Sequence, residues 1–258
     1  MYAKKTIVFS DLSESGIPSN AIREVSLLKE LDHQNLVKIQ EVIYSRPKLY
    51  LFMDYMESDL RKYIKTNSPI SPKIIQGIIR QILEGVCSMH SSRVIHRDLK
   101  PENIFIDSNE HIKIGDFGIS RTLSVSSTPM SPGMVTIYYR APEIALGVEE
   151  YSIPIDIWSI GCIFAELFLG SPLFEVENEI DLLTKIFKAV GAPTEETWPG
   201  ITSMISSVMP KYPEKQIQIT GMDETAVDLL SKMFILYPSD RISAKDALHH
   251  PYFQTDFK

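Results

Sequence analysis

His96-Arg97-Asp98-Leu99-Lys100-Pro101-Glu102-Asn103 is the stretch on which the reading of this chain turns. Asp116-Phe117-Gly118 begins 18 residues after Asp98, and Ala141-Pro142-Glu143 ends 27 residues after Asp116. Each string alone is modest evidence, since a tripeptide such as Asp-Phe-Gly turns up by chance in roughly a few per cent of chains this long. All three, in this order and at these separations, are not an accident. Asp98 falls on a loop between two short strand signals, Val94-Ile95 and Ile104–Ile106.

Around this stretch the chain has an ordinary globular composition. Its 258 residues are 44% hydrophobic and 23% charged, with 16 Pro and 12 Gly scattered along the sequence, which excludes a disordered, collagenous or low-complexity protein. The length allows one large domain or two small ones. A net charge of −7 argues against a broad basic face for nucleic acid. Cys87 and Cys162 lie in apolar stretches and read as reduced, buried thiols, which suits an intracellular protein of the cytoplasm or nucleus. Ile157–Leu169 is the most apolar segment, but Glu166 interrupts it well short of the roughly 18 apolar residues of a membrane span. No membrane association is expected.

Local patterns divide the chain. From Met1 to Phe9 the β-branched Thr6, Ile7 and Val8 suggest a strand, and Gln40–Tyr44 with Leu49–Tyr55 looks like a hairpin turning through Ser45-Arg46-Pro47-Lys48. A helix is predicted from Ser19, with Ile22, Val25, Leu28 and Leu31 on one face. From Pro72 on, Ile74, Ile75, Ile78, Ile79, Ile82, Leu83 and Val86 form a broad helical stripe whose plain role is core packing. Residues 1–56 are strand-rich and 57–258 helix-rich. Leu123–Pro132, with its Ser, Thr and Pro, has the composition of a linker.

The ordered motifs resemble the protein kinase signature, and other strings narrow the likeness. Pro18-Ser19-Asn20-Ala21-Ile22-Arg23-Glu24 looks like the PSTAIRE helix of cyclin-dependent kinases, with Asn in place of Thr. Tyr139-Arg140, Asp156-Ile157-Trp158-Ser159-Ile160-Gly161-Cys162, Trp198-Pro199-Gly200 and Arg241-Ile242-Ser243-Ala244 continue the match, which covers essentially the whole chain from residue 3. The resemblance implies a single α+β domain of two lobes, the first a truncated sheet (1–56) and the second mainly helical (57–258). It implies transfer of the ATP γ-phosphate to Ser or Thr, before Pro, by a kinase of the cell-cycle type under cyclin control.

Phosphoryl transfer is chiefly positioning and charge neutralisation, so it needs oxygens for magnesium and a base for the acceptor hydroxyl. By resemblance Asp98 is that base, Asn103 and Asp116 hold Mg²⁺ as hard oxygen donors, Lys100 contacts the γ-phosphate, and Thr136 ties Asp98 to Lys100. The strand lysine for the α/β-phosphates is Lys5 in Ala3-Lys4-Lys5, with Glu24 as its partner. Lys4 takes that place if the strand shifts by one residue, since the shift turns it to the other face. Adenine is expected against Asp54-Tyr55-Met56, with Met53 as gatekeeper, Asp59 near the ribose and Phe105 at the floor, where the family carries a smaller aliphatic residue. That Phe is expected to narrow the pocket.

The linker-like loop becomes an activation segment under this resemblance. Ser131 falls at the activating phosphosite, a target for an activating kinase, and a phosphate there draws Arg23, Arg97 and Arg121 together. Ile22 is the expected cyclin contact, turning Glu24 inward. Arg241 resembles the residue that pairs internally with Glu143.

One part of the family pattern is absent from the sequence. Before the strand lysine the family has two strands joined by a Gly-rich loop over the phosphates, whereas here Met1 precedes Ala3 by two residues and no Gly occurs before Gly16. The sequence as it stands predicts a first sheet of three strands, Thr6–Phe9 as an unpaired apolar edge, and weak catalysis, because backbone N–H groups that position phosphate are worth several kcal/mol. An incomplete or alternatively started chain accounts for this better than a designed deletion. The other outcome is a catalytically weak module that binds a cyclin or a substrate.

Overall fold

The computed structural model describes residues 2–8, 25–26, 29–45, 48–116, 137–148, 152–205, 212–213, 215 and 217–254. Its first sheet has the order β1-β3-β2, built from β1 (Tyr2–Val8), β2 (Ile39–Ser45) and β3 (Lys48–Asp54). Both pairings are antiparallel, Lys5 opposite Leu51 and Val42 opposite Leu51, with a bulge between Ile39 and Glu41. Among the described residues no strand pairs with the outer edge of β1.

Alternation along β3 sorts the faces, because successive side chains leave a strand on opposite sides. Leu49 and Leu51 are buried, while Ile43, across from Tyr50, is 40% exposed. Lys5 shares the inner face with Leu51, and Lys4, opposite Phe52, lies on the outer face with Tyr50, its Nζ 5.3 Å from that ring's centre. The register thus separates the two lysines that sequence left as alternatives.

A second antiparallel sheet follows β4 (Ser58–Asp59), which leads into α1 (Leu60–Asn67) and α2 (Pro72–Ser91). The Asp59 carboxylate caps α1 by accepting from the Lys62 N–H at 2.9 Å, and Pro72 opens α2 behind the Ser71 cap. The sheet is completed by β5 (Ile104–Ile106) and β6 (Ile112–Ile114) in the order β4-β5-β6. The strand expected at Val94-Ile95 is not formed. The Val94 N–H turns back to the Met89 carbonyl at 2.9 Å, closing the end of α2, and Arg93 sits at φ 59.

The remainder is helical: α3 (Pro142–Ala145), α4 (Pro154–Leu169), α5 (Glu179–Val190), α6 (Ile201–Met204), α7 (Glu224–Met233) and α8 (Ala244–Leu248). Small antiparallel sheets with a mostly helical remainder make an α+β fold. The helix α4 is apolar nearly all round and buried nearly all round, so it forms the axis of the core with α2 and α7 against it. Each fully buried Leu, Ile or Phe contributes roughly 1.5–3 kcal/mol there. Cys162 is buried on α4, whereas Cys87 is only half-buried, on the less covered side of α2; neither forms a disulfide. No helix among the described residues is long and apolar enough to cross a membrane.

The two sheets meet through residues 35–37. Leu36 bridges to Ile114 in parallel, the Ile114 N–H donates to the Asn35 carbonyl at 2.8 Å, and the Val37 N–H donates to the Ile114 carbonyl at 2.8 Å. Gly85 on α2 permits this approach, since a Cβ there would lie 2.9 Å from Ile114 Cδ1 and 3.0 Å from the Asn35 carbonyl oxygen. The end of β6, and with it Asp116, is fixed between the first sheet and the helical body.

Candidate active site

Asp156, in the first turn of α4, organises the His96–Asn103 stretch. Its buried carboxylate accepts the backbone N–H groups of His96 and Arg97 at 2.9 and 3.0 Å and contacts His90 Nε2 at 2.8 Å. These bonds hold Arg97 at φ 69, a conformation that a non-glycine residue keeps only when its surroundings over-determine it. His96 is fully buried. Its Nδ1 accepts from the Asp98 N–H at 3.3 Å and its Nε2 faces the Gly115 carbonyl at 3.0 Å, which fixes a neutral ring with the proton on Nε2. Burial holds this imidazole below its ordinary range, against the opposing pull of Asp156.

The turn Pro101–Asn103 then folds Asn103 back onto Asp98. Asn103 Nδ2 donates to the Asp98 carbonyl at 2.7 Å and to its Oδ2 at 3.2 Å, and Lys100 Nζ reaches the same Oδ2 at 3.0 Å. The Gly115 N–H donates to the Asn103 carbonyl at 2.9 Å, so the residue before Asp116 is tied to the same turn. Asp116, at φ 54, meets Lys5 Nζ at 2.8 Å. Asp98, Lys100, Asn103, Asp116 and Lys5, spread over more than a hundred residues of sequence, form one connected group. Lys4 is not part of it.

The end of β3 pairs with the start of β1, the strand that carries Lys5. Met53 is half-buried opposite Ala3 and Ile39, and Met56 is half-buried on the connection to β4. The Asp54 carboxylate takes Lys113 Nζ at 2.7 Å and Gln40 Nε2 at 2.9 Å; partial burial would raise its pKa, but these two partners outweigh it and hold it below the usual carboxylate value. Asp59 spends one oxygen on the α1 cap. Phe105 is half-buried between Asp59 and Lys113 in the register of the second sheet. Glu24, Ile22, Arg23, Arg121, Ser131 and Thr136 lie outside the described residues, so only Arg97 of the three predicted arginines is placed.

A cavity of about 390 Å³ opens on another side of Asp98. Arg97, Asp98 and Leu99 wall it together with Tyr139, Arg140 and Ser159, whereas Lys5, Asn103 and Asp116 do not line it. Asp98 therefore borders this cavity while its carboxylate is held by Asn103 and Lys100. Behind this cavity is a group that the sequence did not announce. Arg61 donates from Nε to Glu102 Oε1 at 2.8 Å and places its terminal nitrogens on Glu166 and the Tyr139 hydroxyl, which itself donates to Glu166 Oε2 at 2.6 Å. Burial pushes the Glu166 carboxyl up, against Tyr139 and Arg61, which pull it down. Arg61, on α1, thus ties the 101–103 turn to α4.

Asp156, Arg61 and Lys113 are the residues that residue-by-residue reading missed as site supports. Asp156 carried a signal, an acidic residue opening a mostly apolar helix. Arg61 and Lys113 carried none, since a cation on a short helix or strand is ordinarily solvated.

A group of oxygens and lysines drawn together in this way, on a small sheet facing a helical body, can be compared with known families. The model of the protein kinase domain matches residues 1–253, spanning Lys5, the His96–Asn103 stretch, Asp116 and the buried pair of Arg241 with Glu143. That match takes in nearly the whole chain, and the α+β architecture agrees with it: this chain belongs to the protein kinase domain family.

Proposed function

We propose that this protein kinase transfers the ATP γ-phosphoryl group to Ser or Thr hydroxyls that precede Pro, as a kinase of the cyclin-dependent type. The observation that carries the reading is the connected group of Asp98, Lys100, Asn103, Asp116 and Lys5. Asp98 Oδ2 is oriented by Asn103 and Lys100, and Asp98 also faces the 390 Å³ cavity, where an acceptor hydroxyl approaches it. Asp98 takes the hydroxyl proton. Lys100 steadies the negative charge that moves toward the acceptor, and Lys5 holds Asp116 in place while its own charge faces the phosphates.

Kinase domains use ATP with Mg²⁺, and the donors fit that ion. Both N–H groups of the Asn103 amide are spent on Asp98, which leaves its side-chain carbonyl oxygen as a ligand, with the Asp116 carboxylate as the second. Among the described residues no group of three or more His, Cys, Asp or Glu could hold a metal by itself. A site of one carboxylate and one amide suits Mg²⁺, which takes one or two protein oxygens and fills the rest from phosphates and water. When bound, the ion neutralises phosphate charge. Met53, Asp54, Met56, Asp59 and Phe105 surround the base and ribose in this reading.

Regulation is part of the proposal. Phosphorylation of Ser131 by an activating kinase gathers Arg23, Arg97 and Arg121, and a cyclin-type subunit seated on Ile22 turns Glu24 toward Lys5. Residues 1–56 and 57–258 act as the two lobes, in the cytoplasm or nucleus, without nucleic acid or membrane. The test is phosphorylation of a Ser-Pro peptide with a cyclin-type subunit present. Asp98→Asn is expected to lower turnover by about 100-fold or more. Mg·ATP at 100 times its dissociation constant is expected to add about 2.7 kcal/mol of stability. Neither turnover nor a thermal shift would replace this reading with that of a module that binds cyclin or substrate without using ATP.

A further inference from the structure

Five Ser/Thr-Pro dipeptides occur in the sequence, beginning at Ser68, Ser71, Thr128, Ser131 and Ser171. The three within the described residues are brought to one corner of the helical body. Ser68 and Ser71 sit on the connection between α1 and α2. Ser171 follows Gly170, the C-cap of α4, and a Cβ on Gly170 would stand 3.1 Å from Ser68 Oγ. All three serines are exposed. An exposed serine before proline is what a proline-directed kinase acts on, but these three differ in whether they can carry a phosphate.

Two of them are badly placed. Ser68 caps the C-terminal end of α1, where its Oγ donates to the Ile64 carbonyl at 2.8 Å and abuts Gly170. A phosphate there loses that bond, is crowded by α4 and meets the negative end of a helix macrodipole. Ser171 stands one residue past the end of α4, beside the same kind of negative end.

Ser71 is the reverse case. It caps the N-terminal end of α2, and its hydroxyl accepts from the Ile74 N–H at a long 3.4 Å. Pro72 has no N–H and the Ile75 N–H is taken by the Ser71 carbonyl at 3.0 Å, which leaves the N–H groups of Lys73 and Ile74 for a phosphate oxygen. No acid stands in the first turn of this 20-residue helix. Residues 60–83 hold Arg61, Lys62, Lys65, Lys73 and Arg80 and no Asp or Glu, in a chain whose net charge is −7. Lys65 and Lys73, the cations nearest to Ser71 in sequence, are both exposed. A dianion on Ser71 therefore gains helix N–H groups and lysines, with no carboxylate of that stretch to oppose it. Its backbone is already extended, at φ −68 and ψ 144, the conformation that a following proline favours.

We propose that Ser71 is a phosphorylation site for a Ser/Thr-Pro-directed protein kinase, and that the phosphate strengthens the start of α2. Ser71 Oγ forms a bond to the γ-phosphorus of ATP and the bond from that phosphorus to the bridging oxygen breaks. ADP leaves, and the hydroxyl proton passes to the base of the acting enzyme. Charged oxygens then replace the long hydroxyl cap. The site is separate from Ser131 and does not depend on what this chain itself phosphorylates.

The test uses the full chain as substrate, with Asp98→Asn to silence its own turnover and Thr128→Ala with Ser131→Ala to leave only the three described sites. A proline-directed kinase, active on a Ser-Pro peptide in the same buffer, is added with Mg·ATP; phosphosites are mapped by mass spectrometry and melting temperatures compared. Most of the phosphate is expected on Ser71. The phosphorylated chain is expected to melt about 1–4 °C higher, a gain that fades in about 1 M salt. Ser71→Asn keeps a helix cap without the acceptor hydroxyl, so it is expected to fold, to take up no phosphate at 71 and to show no such gain. Phosphate spread evenly over the three serines, or no label on the folded chain, would overturn the site. A melting temperature that falls once Ser71 is phosphorylated would overturn the strengthening of α2.

Discussion

The helical body and the first sheet hold their shares of the site by different means. In the body, α4 is buried on nearly every side, and the 96–103 stretch hangs from the buried Asp156 carboxylate by two backbone bonds, with His90 of α2 on the same carboxylate. The first sheet is covered on one face only: Tyr2 is 63% exposed and Ile43 40%, and β1 is an edge among the described strands. Asp98 and Asn103 are thus fixed by a network with no slack, while Lys5 is held by an edge strand and one ion pair whose side chains are 29% and 43% exposed. Loosening the cleft should cost far less than disturbing the loop, because preorganisation is concentrated on the body's side.

The largest break in this contrast is expected at the body's buried ion pair. Arg241 donates to both oxygens of Glu143 at 2.8 and 3.0 Å, gives further bonds to the Ile235, Leu236 and Pro154 carbonyls, and stacks its guanidinium 5.2 Å from the centre of the Trp158 ring. Its side chain has no exposure. Glu143→Ala strands that charge, and removing one partner of a buried pair costs about 3–5 kcal/mol. Denaturant unfolding measures it. A loss under about 1 kcal/mol would mean that the body is no more tightly determined than the sheet.

How much of this was legible follows from where each interaction lies in the sequence. Asp98, Asn103 and Asp116 sit in short strings whose spacing carries the information, and Ser71-Pro72 and the isoleucines after it announce α2 through cap and period. Lys4 and Lys5 could not be told apart, because a one-residue shift exchanges strand faces and only the pairing of β1 with β3 fixes the register. Val94-Ile95 misled for a local reason: two β-branched residues look like a strand, yet the Val94 N–H is spent closing α2. Phe105 stood out as too large, and the close approach of Gly115 to its ring could not be found without the fold, since Gly115 is ten residues away, just past the end of the strand that pairs with Phe105. Arg61 with Glu102 and Glu166 is a contact over 41 and 105 residues with no periodicity behind it.

A smaller effect tests whether the pH-sensitive part of the site belongs to the body. Burial keeps His96 neutral in the fold, whereas in the unfolded chain it takes up a proton near its ordinary value of 6.5. With the folded pKa depressed, full stability is present above that value. It is lost as pH falls toward the folded pKa, by up to about 1.4 kcal/mol per pH unit. His96→Gln removes the titration, so its stability should slope less than that of wild type between about pH 6.5 and 5.5. Parallel slopes in urea melts would show that His96 gains its proton in the folded protein as readily as in the unfolded one.

The smallest expected effect on stability is at the sheet's contribution, and there the contrast is sharpest. Lys5 and Asp116 are partly solvated, and such pairs are worth about 0–1 kcal/mol, so Lys5→Met should unfold within 1 kcal/mol of wild type. Its Mg·ATP affinity should nonetheless drop by about tenfold or more, because the one inward cation of β1 is gone. Lys4→Met is the control on the same strand. Its ammonium lies on the outer face over Tyr50, so its loss should leave Mg·ATP binding within about twofold. If calorimetry found the two variants equally impaired, the face assignment would carry no function, and the sheet would matter to the site only as a whole.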